Sequence, residues 1–324
     1  MIKLPEKLIV HGNKKFLLRV EDSDQAVDYQ KYENLRQTIW DFADDHLAGS
    51  RNLLCENFLH EGSSLFIGAF EPNDDGQFIF DESHLVGFSY GFVGLRDKSL
   101  GFVTGDNLWF YSQFLGVRPD RLNFGLGIRI KEFQKEVLLS VFRVKLVVCT
   151  YDPLTAVNAY RNIRQFGMQV LEYRLAPYGE YGGRLNRQDV PSDRFFTAWD
   201  LLQDHRPLVP EEKIEHLLSH LPKALESEWQ TIKTAQSEIE LQLVKRVRLD
   251  LSEEQMLVEV PVDFYHLLRV TAHGPDEIRN IPVDWRLKSR EVFLKYFQQG
   301  YKVVDFLKAR SGQPAAYYLL EKKQ

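Results

Sequence analysis

Residues 108–141, LWFYSQFLGVRPDRLNFGLGIRIKEFQKEVLLSV, decide how this chain is read. The aromatic-rich apolar run Leu108–Val117 reads as a strand, and Pro119, which has no N–H to give a ladder, closes it. The next segment, Arg121-Leu122-Asn123-Phe124-Gly125-Leu126-Gly127, puts two residues without a Cβ directly before an amphipathic helix over 126–140. First-turn amides of a helix have no intrahelical acceptor and sit at the positive end of its dipole. A loop of this kind lets the backbone from Asn123 and Phe124 through Gly125, Leu126, Gly127 and Ile128 close on an anion, and a pyrophosphate suits it. Gly-x-Gly also makes an ordinary turn, so the loop by itself leaves both readings open.

After the helix comes a strand, Leu146-Val147-Val148-Cys149, then Tyr151-Asp152-Pro153, a helix, and Gly167. This order resembles the acetyl-CoA-binding core of the GNAT superfamily of N-acetyltransferases, whose loop reads Arg/Gln-x-x-Gly-x-Gly/Ala. Gly125 and Gly127 fill both glycine positions, while Leu122 stands where the Arg or Gln belongs and Arg121 falls one place early. The passage Asn158-Ala159-Tyr160-Arg161-Asn162 to Gln165-Phe166-Gly167 resembles the family's later motif, in a little-characterised branch with a long C-terminal extension. The resemblance covers roughly residues 14–201.

It implies an α+β fold with a mixed sheet, the GNAT-like acyl-CoA N-acyltransferase fold, over residues 1–205. A smaller α/β domain would follow over 206–324. It also implies acetyl-CoA as co-substrate and a small-molecule or peptide amine as acceptor. The strand 108–117 would carry a bulge and part from the strand after it. The main chain at Phe114, Leu115, Gly116 and Val117 would then bond the pantetheine arm as an added strand. An ordinary core strand is the alternative. The family's general acid is frequently a tyrosine four residues before the glycine that ends the helix, and that slot is Ile163 here. Tyr160, one turn earlier, is the substitute acid. Asn158 is assigned to the pantetheine, although the count falls on Ala156, and Asn162 shares its face at i, i+4. Asp152 is the candidate base, with Ser112, Gln113 or a relayed water still open. The empty tyrosine slot also favours a rival reading, a CoA-binding or regulatory protein without catalysis.

Composition sets the bounds. The chain has 324 residues, 44% of them hydrophobic and 27% charged, enough for two domains with a sizeable core. A net charge of -5 gives no reason to expect nucleic acid or a membrane surface as partner. Two cysteines, Cys55 and Cys149, argue for a reducing compartment, and with no apolar leader or spanning run the expectation is a cytoplasmic protein. A homodimer is left open. No metal-ligand spacing occurs: His216 and His220 lie i, i+4 without the glutamate or thiol a zinc site needs, so no metal is expected.

Along the chain, 15–20 reads as the first strand. A helix capped at Ser23 or Asp24 runs to about Ala43, with Tyr32, Leu35, Ile39 and Phe42 on one face and Asp41, Asp44 and Asp45 near its end. A second helix spans 51–60, and strands at 64–70 and 84–94 flank the turn-rich 71–76. Gly87-Phe88-Ser89-Tyr90-Gly91 matches the nucleophile elbow formally, which makes a serine hydrolase a distant alternative. The sequence stays extended past Ser89, however, where an elbow needs a strand-to-helix turn. His84 opens that strand and reads as structural, while Arg129 and Lys131 are either solvated or close to cofactor phosphates.

Strands at 169–174 and 194–201 close the first half, and 204–210 reads as a linker. A helix from 211 and a strand-turn-strand stretch to Val260 follow. Residues 161–173 then find a counterpart in 294–306, with glutamine, glycine, valine, acid and aromatic recurring in register before a last strand at 315–320. The C-terminal domain is therefore expected to be a partial, degenerate copy of the first half. It lacks a second glycine loop, so no cofactor site is expected in it.

Overall fold

The computed structural model describes residues 4–41, 49–233 and 238–323. The chain divides into two compact units, Met1–Cys149 with Asp200–Leu202, and Thr150–Trp199 with Gln203–Gln324. The fold class is mixed α/β, as the sequence implied.

Unit 1 is built on six strands in spatial order β1 (Glu6–His11), β2 (Lys14–Val20), β3 (Ser64–Phe70), β4 (Leu85–Leu95), β5 (Leu108–Val117) and β6 (Leu146–Tyr151), the last belonging here through Cys149. Every pair is antiparallel except β5 with β6. All seven residues of β3 are buried, which is why it reads in sequence as an unbroken apolar run. The helix α1 (Gln30–Trp40) buries Tyr32, Leu35 and Ile39, and α2 (Ser50–Glu56) buries Leu53. The first expected helix stops at Trp40, because Asp41 turns left-handed at φ 54°. Phe42, Ala43, Asp44 and Asp45 lie outside the described residues. The helix α3 (Leu126–Val137) follows β5 and ends in a π-helical turn, Leu138–Phe142.

Unit 2 opens with α4 (Ala156–Ala159), which widens at once into a π turn over Tyr160–Gln165, where the Phe166 N–H reaches the Arg161 carbonyl at 3.1 Å. The hairpin β7 (Gln169–Arg174) and β8 (Arg194–Asp200) follows. After α5 (Ile214–His220) comes a five-stranded sheet ordered β10 (Glu238–Val247), β9 (Lys223–Lys233), β11 (Gln255–Val260), β13 (Ala316–Lys322), β12 (Tyr301–Lys308). The helices α6 (Phe264–Val270), α7 (Asp276–Arg279) and α8 (Ile281–Gln298) lie between β11 and β12 in the chain. Phe195 of β8 sits 4.9 Å from Phe293 and 5.4 Å from Tyr318, ring to ring. That aromatic burial draws the β7–β8 hairpin into the C-terminal unit.

The two stretches 161–173 and 294–306 share backbone features. Gly167 (φ 65°) and Gly300 (φ 87°) each end a helix in the left-handed region, and each leads into an antiparallel hairpin. The register of β7 against β8 shifts between Val170 and Glu172, and that of β12 against β13 between Val303 and Asp305. The two shifts fall at corresponding places in the aligned stretches, a bulge that no residue type announces.

Candidate active site

In unit 1 the β4–β5 ladder slips by one residue: Tyr90 faces Phe114 and Gly91 faces Ser112, which leaves Gln113 as the extra residue of a bulge on β5. On its other side β5 holds β6 through only two registered pairs, Phe110 with Val147 and Tyr111 with Val148. Beyond Tyr111, β5 runs on through Phe114, Leu115, Gly116 and Val117 with β6 no longer in register among the described residues. One edge of its main chain is thus laddered to β4 and the other is open. Trp40 caps one face of this stretch. Its ring stands 5.3 Å from that of Phe114, and a Cβ at Gly116 would come within 2.5 Å of it, so that position needs glycine.

The loop beyond β5 is a 3-10 turn, Pro119–Phe124, that ends at Gly125 in the left-handed conformation (φ 67°). The N–H groups of Ile128 and Arg129 both bond the Gly125 carbonyl, at 3.1 and 3.2 Å. Among the described residues, the Leu126 and Gly127 amides meet no backbone acceptor, as the first two positions of a helix do. Phe124 anchors the loop, its ring 5.5 Å from Phe16 and 5.6 Å from His11, while Asn123 is exposed. Two free amides at the head of a twelve-residue helix, beside an open strand edge, can hold an anion and an extended chain together.

The basic residues around the loop are engaged. Arg118 and Arg121 both grip Glu71, at 3.0 and 2.8 Å, and both also pair with Asp120. Burial would raise the Glu71 carboxyl, but the two guanidinium groups outweigh it and hold it below the usual carboxylate range. Arg129 pairs with Glu132 at the surface. Lys131 departs from expectation. It is buried at 3% exposure and turned into the sheet, its Nζ 2.8 Å from Ser112 Oγ and 3.0 Å from Gln134 Oε1, so it faces the bulged strand and not the loop.

Ser89 lies fully buried inside β4, within 3.5 Å of Gln134 Nε2. With an extended chain on both sides of it, there is no elbow, and the serine-hydrolase alternative falls. His84 bonds Asp81 and Ser83 in the turn before β4.

The remaining candidates belong to unit 2. Asp152, expected as a base, is 8% exposed, and its carboxylate is fully engaged. Oδ2 accepts from Arg286 at 2.5 Å and lies 3.4 Å from Arg194, and Oδ1 accepts the Leu154 N–H at 2.9 Å. Both carboxylate oxygens are thus taken up by contacts within the fold. Burial works against the Arg286 charge, but Asp152 outweighs it and keeps the guanidinium protonated. Asn158 is half-buried. It donates to Thr155 Oγ1 at 3.0 Å and Tyr265 Oη at 3.4 Å and accepts from Arg161 at 2.8 Å. Asn162 is buried, because the π turn beginning at Tyr160 breaks the i, i+4 relation between the two. The Tyr160 ring lies 4.7 Å from Lys308 Nζ. Ile163, in the slot of the family's tyrosine, is 3% exposed, a core residue.

Among the described residues no group of three or more His, Cys, Asp or Glu could hold a metal ion, and no helix is long and apolar enough to cross a membrane. No protein-family model matches the sequence, and no curated protein matches it. Solved structures similar to it include Arabidopsis thaliana NAA60 in complex with acetyl-CoA, at 11% identity and a TM-score of 0.41, over 56% of this chain and 99% of that one. The ribosomal-protein-S18-alanine N-acetyltransferase from Escherichia coli is similar at 12% identity and a TM-score of 0.39, over 60% of this chain and 99% of its own. The ribosomal-protein-S5-alanine acetyltransferase from Vibrio fischeri is similar at 11% identity and a TM-score of 0.42, over 61% and 98%.

Proposed function

We propose that this chain is an N-acyltransferase that moves an acetyl group from acetyl-CoA to an amine. The observation that carries the reading is the joint geometry of unit 1: β5 bulged at Gln113 and released from β6 after Tyr111, directly upstream of the free Leu126 and Gly127 amides. In this reading the pyrophosphate sits on the loop Asn123–Ile128, and the pantetheine arm runs along the open edge at Phe114–Val117, bonded as an added strand would be. The reaction needs a neutral amine. Its nitrogen attacks the thioester carbonyl carbon, a C–N bond forms, the C–S bond breaks, the nitrogen gives up a proton, and the leaving thiolate takes one.

Asn158 is proposed to bond the arm and Tyr160 to supply the thiolate's proton. The base is proposed to be a water, since Asp152 is committed to Arg286. The C-terminal sheet is proposed to hold no cofactor. Calorimetric titration with acetyl-CoA, followed by thiol release in the presence of amines, tests the reading, and absence of acetyl-CoA binding overturns it. A second reading, CoA binding without turnover, is favoured by the buried Ile163 in the acid's slot. Binding with no thiol release from any amine would select it.

A further inference from the structure

One row of residues crosses the unit 1 sheet. Ser64 registers with Phe92, Phe92 with Tyr111, and Tyr111 with Val148, the last residue of β6 in register with β5. The row therefore ends at the mouth of the split between β5 and β6. With strands about 4.8 Å apart, Ser64 lies roughly 10 Å from Tyr111 and roughly 14 Å from Val148.

At the Ser64 end is a shallow, open surface hollow of about 360 Å³ lined by Asn52, Cys55, Glu56, Gly62, Ser63 and Ser64. Glu56 is the charged group of that lining, and among the described residues no cation lies within ion-pair distance of it. Its Oε2 accepts the Tyr90 hydroxyl at 2.7 Å, and Ser64 Oγ stands 3.5 Å from that hydroxyl. Tyr90 is buried on β4 and fixes the carboxylate from the sheet side. Between the hollow and the split, the half-buried rings of Phe92 and Tyr111 lie 5.5 Å apart, tilted by 31°, along the same row.

A half-buried carboxylate in this hollow, with no cation beside it among the described residues and two aromatic rings between it and the split, is placed to take a second positive charge. Resting on the acetyltransferase reading, we infer that the acceptor is a long di- or polyamine: its far ammonium pairs with Glu56, its methylenes lie over Phe92 and Tyr111, and its near nitrogen is acetylated at the split. The near nitrogen forms the C–N bond and loses a proton, the thiolate of CoA takes one, and the far ammonium is unchanged.

The test compares 1,4-diaminobutane, 1,8-diaminooctane, butylamine and octylamine at saturating acetyl-CoA in the full-length protein. KM should be lowest for 1,8-diaminooctane. Glu56→Gln should raise that KM about threefold to fivefold, the upper scale of one partly exposed ion pair, while the octylamine KM moves less than twofold. Tyr90→Phe leaves the charge in place and should keep the preference for the long diamine. As a readout apart from turnover, 1,8-diaminooctane should slow alkylation of the exposed Cys55 in the wild type and not in Glu56→Gln. Equal KM values for diamine and monoamine, a preference that survives Glu56→Gln, or thiol release from none of these amines overturns the inference while acetyl-CoA binding keeps the parent reading. Absence of acetyl-CoA binding overturns both.

Discussion

Glu259 on β11 reaches the Ser227 main chain on β9, its Oε2 accepting the Ser227 N–H at 2.8 Å and its Oε1 the Ser227 hydroxyl at 2.5 Å. These strands run parallel with two registered pairs, Leu257 with Lys223 and Val258 with Leu225. The ladder is as short as that of β5 with β6, but here a side chain from the protein itself takes the N–H that an extended arm would need. Gln242 adds a bond to Oε1 at 3.1 Å. The second sheet thus opens like the first and fills its own gap, which is the physical ground for proposing no cofactor there.

Glu259 makes stability depend on pH in a defined direction. Burial raises its carboxyl above the usual range, and the Ser227 bonds only partly oppose this. Between the ordinary and the raised value the folded state binds more protons than the unfolded one, so stability falls as pH rises through that window. Glu259→Gln should flatten this part of the pH dependence. Urea midpoints measured for both proteins across mildly acidic to neutral pH check it, and parallel curves would refute it.

Gly116 and Trp40 form a testable pair. A Cβ at Gly116 would meet the indole at 2.5 Å in a filled site. Gly116→Ala should cost about 1–3 kcal/mol, the usual range for overpacking. Adding Trp40→Ala should recover part of that loss, which a double-mutant cycle by urea unfolding measures as a non-additive coupling.

What the sequence made legible follows burial and backbone demand. β3 and β5 were expected at 64–70 and 108–117 and occur there, since both are apolar runs bounded by turn residues. Gly125 was readable because a left-handed residue before a helix calls for glycine. β1 gave no such signal: only Ile9 among its six residues is buried. Partners far apart in sequence were hidden too. Glu56 meets Tyr90 across 34 residues and Asp152 meets Arg286 across 134, so neither the carboxylate of the hollow nor a neutralised one can be told from spacing. Lys131 read as solvated or close to cofactor phosphates, because Ser112 and Gln134, toward which it turns, carry no charge pattern.

For the proposed acid, Tyr160→Phe should lower kcat by about a hundredfold while leaving acetyl-CoA affinity unchanged, the scale of general-acid loss. Steady-state kinetics beside calorimetric titration separates the two quantities. An unchanged kcat would assign Tyr160 to its contact with Lys308 alone.

Asp152→Asn decides between a catalytic and a structural carboxylate. Arg286 is fully buried, and among the described residues its Nε and Nη1 have no hydrogen-bond partner, so Asp152 is what neutralises it. Removing that charge strands a buried guanidinium, which costs roughly 3–5 kcal/mol. The variant should therefore unfold at markedly lower urea. Replacing the cation as well, in Asp152→Asn with Arg286→Met, should restore much of the stability, because a buried ion pair exchanged for apolar volume is often neutral. If Asp152→Asn instead kept its unfolding midpoint and lost turnover, the carboxylate would be acting on the substrate and the assignment of the base to water would fall.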